Sequence, residues 1–183
     1  MFGERGFAGT RIEDVADTAG VAVPTVYKVF TNKRNLLVKA LNRAMTADSS
    51  DAGIDRQAWF QEQLDEPDPD RQLRLIARNA RHIYQRAAPV LDAVRASCPL
   101  DPEIARVWDQ ISADRLDRSR TSAKRFLAKA AGRARFDTEQ TALTLWSLTG
   151  PELYIAHTSI GRTPDQYEQW LADILLSSLQ GKP

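Results

Sequence analysis

The chain has 183 residues, 43% of them hydrophobic and 27% charged, a balance that suits a folded core and excludes a disordered chain. Its 25 Lys and Arg against 24 Asp and Glu leave a formal net charge of +1. That excludes a uniformly basic nucleic-acid coat and an acidic tail, so any charged surface must be local.

One cysteine, Cys98, excludes an internal disulfide and a cysteine-based zinc site, and two histidines, His82 and His157, leave little for a histidine metal site. No apolar run approaches the about 20 residues that span a bilayer. Met1-Phe2-Gly3-Glu4-Arg5-Gly6 lacks the charged-then-apolar build of a signal peptide. The expectation is a reducing, cytoplasmic setting with no membrane contact.

In chain order the pattern is helical throughout. Thr10 followed by Glu13 has the spacing of a capping box, and Ile12, Val15, Ala16 and Ala19 then share a helical face that Gly20 ends. A second short helix is expected over 23–29, with Pro24 in its first turn. Ala22 precedes it and offers no side-chain cap. Asn32 can cap a third, on which Leu36, Leu37, Ala40, Leu41, Ala44 and Met45 form a stripe. The texture changes at Asp48-Ser49-Ser50-Asp51. Further helices are expected over 54–65, 69–86, 87–97, 102–131, 137–158 and 164–180. The breaks are Pro67/Pro69, Pro89, Pro99/Pro102, Gly132 and Gly161-Arg162-Thr163-Pro164. Pro151 should kink or split 137–158. No sustained alternation marks a strand, so the expected fold class is all-α.

Residues 10–30 read as helix, glycine turn, helix, the form of a helix-turn-helix whose second helix enters the major groove. Charge agrees. Between Asp17 and Asp48 there is no acidic residue, whereas Lys28, Lys33, Arg34, Lys39 and Arg43 are basic. A segregated positive field suits a polyanion, because each neutralised phosphate releases condensed counterions.

These residues carry a resemblance. Glu4-Arg5-Gly6-Phe7-Ala8-Gly9-Thr10, Ile12-Glu13-Asp14-Val15-Ala16, Ala19-Gly20-Val21, Thr25-Val26-Tyr27-Lys28-Val29-Phe30, Asn32-Lys33 and Leu36-Leu37 resemble the DNA-binding domain of TetR-family transcriptional regulators over about the first 45 residues. Trp146-Ser147-Leu148-Thr149-Gly150-Pro151-Glu152-Leu153-Tyr154 and Thr163-Pro164-Asp165-Gln166-Tyr167-Glu168-Gln169-Trp170-Leu171 resemble the end of many actinobacterial-type members. Residues 50–135 match only in helical character.

The resemblance implies a helix-turn-helix DNA-binding domain over 1–46, its first helix cut short, and a helical ligand-binding and dimerisation domain over 47–183. It implies that Thr10 caps the second helix and offers its amide end to a phosphate. Thr25 and Tyr27 would reach phosphates or base edges, Lys28 and Lys33 would reach the backbone, and Val23 and Pro24 would make apolar contact such as with a thymine methyl. Relatives have a longer first helix with a basic arm ahead of it. Two expectations follow: either the true start lies upstream, or the three-helix core is impaired, leaving Ile12, Val15 and Phe30 less to pack on. Phe30, Val26 and Leu37 are expected in the core.

In the C-terminal region the ligand-wall candidates are Trp59, Phe60, Trp108, Trp146, Tyr154 and His157, with His82, Tyr84 and Cys98 weighed beside them. Aromatic residues on helical faces are also ordinary core. His82, among Arg78, Arg81 and Arg86, is expected near the surface. Tyr167, Trp170, Leu171, Ile174, Leu175 and Leu179 make a stripe wider than one internal contact needs. The resemblance implies a homodimer through 137–158 and 164–180. No phosphate loop, nucleophile elbow or paired-histidine helix is present, and Asp68/Asp70 are explained by helix capping. No catalytic residue, metal or cofactor is therefore expected.

The sequence thus points to a repressor that binds a double-stranded DNA operator and is released by a small, mainly apolar effector. The alternative is a helical small-molecule-binding or dimerisation module that has lost DNA binding with its first helix.

Overall fold

A computed structural model describes residues 1–47, 53–130 and 132–181. The described residues are helical apart from short turns, and the only bridge among them is an isolated pairing of Ala134 with Gln180. The chain forms two compact units: Met1–Asp51 with Arg86–Ile111, and Ala52–Gln85 with Ser112–Pro183. The change of texture at Asp48-Ser49-Ser50-Asp51 lies outside the described residues.

The first unit opens with α1 (Phe2–Gly9), α2 (Ile12–Ala19), α3 (Val23–Phe30) and α4 (Lys33–Thr46). The first of these is two short pieces, because Gly6 has φ 68° and ψ 179°. Phe2 is buried and stacks on Phe7 at 6.3 Å. Ile12, Ala16, Val26, Leu36, Leu37 and Leu41 are buried, and Val15 and Phe30 are half-buried. The expected Thr10 capping box does not form. Arg11 occupies the cap position of α2 without a side-chain bond, and the Thr10 hydroxyl donates to the Gly6 carbonyl at 2.8 Å instead. The local reason is that the backbone departs from helix at Gly6, and Thr10 is turned inward at 1% exposure.

The caps expected further on are present. Gly20 ends α2 in the left-handed region at φ 67°, which favours glycine. Asn32 Oδ1 accepts from the Asn35 amide at 2.9 Å to start α4. Two other helices contribute to this unit: the C-terminal part of α6 (Pro69–Ser97) and the start of α7 (Pro102–Lys129). Arg86 donates to the Ala44 and Met45 carbonyls at 3.0 and 3.2 Å, which caps the end of α4 with a cation. Arg34 pairs with Asp101 at 3.0 Å. A Cβ on Gly3 would stand 2.5 Å from Pro89 Cβ, so only glycine permits this approach of α1 to α6.

Pro89 does not end a helix as expected. The chain runs through it as one helix from Pro69 to Ser97. A mid-helix proline costs ~3 kcal/mol, and this one is flanked by buried Ala87, Ala88, Leu91, Ala93 and Val94, whose packing outweighs the lost backbone bond.

The second unit comprises a 3-10 turn (Ile54–Arg56), α5 (Ala58–Asp65), the first part of α6, the later part of α7, α8 (Thr138–Leu148), α9 (Pro151–Ser159) and α10 (Pro164–Leu179). The single helix expected over 54–65 is interrupted at Gln57, whose ψ of 135° is extended. The split expected at Pro151 occurs, with Gly150 between α8 and α9. A complete capping box starts α10, where Thr163 and Gln166 exchange side-chain and backbone bonds at 2.9 and 3.2 Å. Asp68 accepts from the Asp70 and Arg71 amides at 2.8 and 3.2 Å, so its predicted role as a cap is its observed one.

Leu73, Ala77, Ala123, Phe126, Leu145, Leu171, Leu175 and Leu179 form the core of this unit. A buried polar network crosses it. Gln63 donates to Ser122 at 3.1 Å, Gln72 to the Ser122 carbonyl at 3.2 Å, and Asn79 to Gln63 at 3.0 Å. Lys129 closes it by donating to the Leu64 and Glu66 carbonyls and to Gln72 at 3.0 Å. These bonds satisfy the buried amides, which would otherwise cost about 1–3 kcal/mol each. On α10, Tyr167, Leu171, Leu175 and Leu179 are buried within the chain, and Trp170 and Ile174 are half-buried. Most of the stripe that looked surplus is therefore spent internally.

Candidate nucleic-acid interface and aromatic cluster

The turn before α3 is built by Gly20 and Val21. The Gly20 amide donates to Asp17 O at 3.2 Å and the Val21 amide to Ala16 O at 3.0 Å, which closes α2 and fixes the departure of the chain. Pro24 then sits in the first turn of α3, where its missing amide is harmless. Helical spacing sends Val26 inward and its neighbours outward, and α3 packs on α2 and α4. Pro24, Thr25, Tyr27, Lys28 and Val29 are all exposed, Tyr27 by 48% and Val29 by 65%, while Val23 is half-buried. A short helix fixed by a glycine turn, with a polar and aromatic outer face, is a helix-turn-helix in form.

Two of the predicted DNA-facing residues are engaged elsewhere. The buried Thr10 hydroxyl is bonded to Gly6 and faces no solvent. Lys33 Nζ donates to the Thr10 carbonyl at 3.0 Å and lies 4.4 Å from the centroid of the Phe7 ring. It ties the start of α4 to the corner between α1 and α2.

In the second unit five rings meet. Tyr84 lies 6.1 Å from Tyr154, Tyr154 stands edge-on to Tyr167 at 5.1 Å, and His157 contacts Tyr167 at 5.5 Å and Trp170 at 4.2 Å. The Tyr84 hydroxyl donates to the Thr149 carbonyl at 2.6 Å. The Tyr167 hydroxyl and His157 Nδ1 are buried without a hydrogen-bond partner among the described residues. Burial pushes the phenols of Tyr84, Tyr154 and Tyr167 up, so all three are neutral donors. Burial, with Arg162 nearby, pushes His157 down, so its ring is neutral at pH 7.

The six predicted ligand-wall residues do not form one group. Tyr154 and His157 belong to the five-ring cluster. Trp146 instead donates to Ser112 O at 3.2 Å and lies under Arg115, 5.4 Å from its centroid. Trp59 and Phe60 meet each other edge-on at 6.1 Å, with Phe60 buried. Trp108 falls in the first unit. Tyr167 and Trp170 were legible only as an apolar stripe. The signal for the cluster is that 154/157 and 167/170 repeat the same three-residue spacing, which stacks two rings on one face of each helix. Among the described residues no group of His, Cys, Asp or Glu could hold a metal ion, and no helix is long and apolar enough to cross a membrane.

Residues 1–40 match the model of "Bacterial regulatory proteins, tetR family". Three solved structures share the fold. A protein assigned to the TetR family of transcriptional regulators from Rhodococcus sp. has 18% identity and a TM-score of 0.70, with 97% of this chain and 92% of that one covered. A protein assigned as a transcriptional regulator from Saccharomonospora viridis, in complex with choline, has 19% identity and a TM-score of 0.70 over 99% and 92%. The TetR-family transcriptional regulator PfmR from Thermus thermophilus has 20% identity and a TM-score of 0.63 over 97% and 93%. No curated protein sequence matches the chain. Residues 1–40 are thus similar to the N-terminal module of bacterial regulatory proteins of the tetR family, and the chain as a whole has the fold of the three solved structures.

Proposed function

We propose that this chain is a ligand-responsive repressor, acting in the cytoplasm as a homodimer on a double-stranded operator. The observation that carries the proposal is the outer face of α3. Thr25, Tyr27 and Lys28 point to solvent in a stretch without a carboxylate between Asp17 and Asp48. On this reading Thr25 and Tyr27 reach phosphates or base edges, Lys28 a phosphate, and Val23 and Pro24 a thymine methyl. Residues 1–46 act as the DNA-binding module and 47–183 as the ligand-binding and dimerisation region. The homodimer uses 137–158 and 164–180, where Leu143 is an exposed large apolar side chain and Trp170 and Ile174 are partly so.

The effector is a small, mainly apolar molecule. The cluster around Tyr154 and His157 supports this, because aromatic faces with neutral polar edges hold such molecules. The choline seen in the S. viridis protein is a further organic guest on the same fold. Release requires the effector to favour the form that does not bind DNA, by about 1–3 kcal/mol of coupling. The interrupted α1, with Val15 and Phe30 half-buried, favours a second reading in which the module folds but no longer binds DNA. A gel shift against the chromosomal region upstream of its own coding sequence, at stated salt, separates the two. Retarded DNA that is lost with Tyr27→Ala and Lys28→Ala supports the regulator. No retardation by the folded protein supports the second reading.

A further inference from the structure

We propose that the groove between α6 and α10 is an oxyanion-binding site, which takes a small ligand through a carboxylate or phosphoryl group. It lies in the second unit and holds about 530 Å³, a ligand-sized space. Arg74, Arg78, Arg81 and His82 line one wall, and Asp165 and Glu168 stand on the other. The three arginines follow at four- and three-residue steps, which puts their guanidinium groups on one face of α6.

Their partners do not use them fully. Arg74 is exposed and has no ion-pair partner among the described residues. Arg78 is held by Glu62 at 2.8 Å through one Nη, and its buried Nε has no hydrogen bond among the described residues. Arg81, 21% exposed, pairs with Asp165 through Nη2 and lies 3.5 Å from Glu168 through Nε, a contact without hydrogen-bond geometry. A guanidinium is built to bind two oxygens in parallel, and two of these three make only part of that contact.

Asp165 marks the position a ligand would take. Its carboxylate bonds to Arg81, yet its side chain is 80% exposed at the start of α10. It can therefore swing into water at little cost. A ligand carboxylate or phosphoryl group replaces it at Arg81 and adds Arg74 and Arg78, which Asp165 does not engage. The groove is lined by charge, unlike the aromatic cluster, so it does not share the chemistry of a mainly apolar effector.

The test measures thermal stability and calorimetric binding of the full chain with inorganic phosphate and with benzoate, each against chloride at equal ionic strength. We expect at least one of the two to stabilise the protein where chloride does not. The arm that responds names the group. Arg74→Gln with Arg78→Gln is expected to weaken that binding about tenfold or more, the scale of one charge-assisted contact. Arg78→Lys, which keeps the charge but not the fork, should weaken it as well, and it serves if the double variant does not fold. Asp165→Asn is expected to tighten binding by freeing Arg81, a sign that general damage to the fold does not produce. Arg125→Gln, an exposed arginine on α7 outside the groove, should leave it unchanged. The proposal is overturned if neither oxyanion exceeds chloride, if binding survives the loss of both Arg74 and Arg78, or if Asp165→Asn weakens it. None of these readouts involves DNA, so they stand apart from the regulator assignment.

Discussion

Lys33 separates a contact to DNA from a support within the protein. Its ammonium donates to the Thr10 carbonyl at 3.0 Å and lies 4.4 Å from the Phe7 centroid. A hydrogen bond from a charged donor contributes about 1.5–3 kcal/mol, and the lower end applies to this half-exposed group. The cation–π contact adds ~0.5–1 kcal/mol. Against this, a cation on the first residue of α4 opposes the helix dipole by ~0.3–1 kcal/mol. The net is about 1.5 kcal/mol. Lys33→Met keeps the apolar stem against Phe7 and removes only the charge. For a chain of this length each kcal/mol moves the midpoint by about 2–4 °C, so the variant should melt about 3–6 °C lower. Thermal melts and fluorescence anisotropy with duplex DNA over a salt series read both consequences. The expected result is lower stability with an unchanged slope of log affinity against log salt. An unchanged melting point, with a slope shallower by about 0.9, would mean that Lys33 neutralises a phosphate and that its internal contacts carry nothing.

Gly20→Ala places a Cβ in the left-handed region at φ 67° and should cost about 1 kcal/mol in urea unfolding, with DNA affinity falling in parallel. Tyr167→Phe removes a buried hydroxyl that has no hydrogen-bond partner among the described residues, so it should be neutral or stabilising by up to about 1–2 kcal/mol; clear destabilisation would show that the hydroxyl is bonded after all. His157 has its folded value held below the usual 6.5. The unfolded chain therefore takes up the proton first, so stability is full above that value and falls as pH drops below it. His157→Gln should flatten melting temperature between pH 7 and 5.5, and an identical decline in the variant would place the titration elsewhere.

The helices were legible where local chemistry decides. Gly20, Asn32, Asp68 and Pro151 each start or stop a helix where their side chains or missing amides require it. Expectation failed where distant packing overrules the local rule. Pro89 is carried through a helix because its neighbours are buried, and Thr10 has a cap spacing but is drawn inward by the break at Gly6. The outward face of α3 followed from helical period, since Val26 takes the inward position. The aromatic cluster was half visible. Tyr154 and His157 stood out as polar aromatics, but Tyr167 and Trp170 looked like ordinary interface, and only the tertiary structure joins the two pairs. The groove of arginines was invisible, because nothing local aligns residues 74–82 with 165–169.

A regulator of this kind needs α3 to lie against duplex phosphates, and Lys28 tests this most directly. Anisotropy titration of the full chain with an operator duplex, from low to physiological salt, should give strongly salt-dependent affinity. Lys28→Ala should weaken it and reduce the slope by about one. A folded protein with no salt-dependent affinity for duplex DNA, or a Lys28→Ala slope equal to that of the unaltered chain, would contradict it.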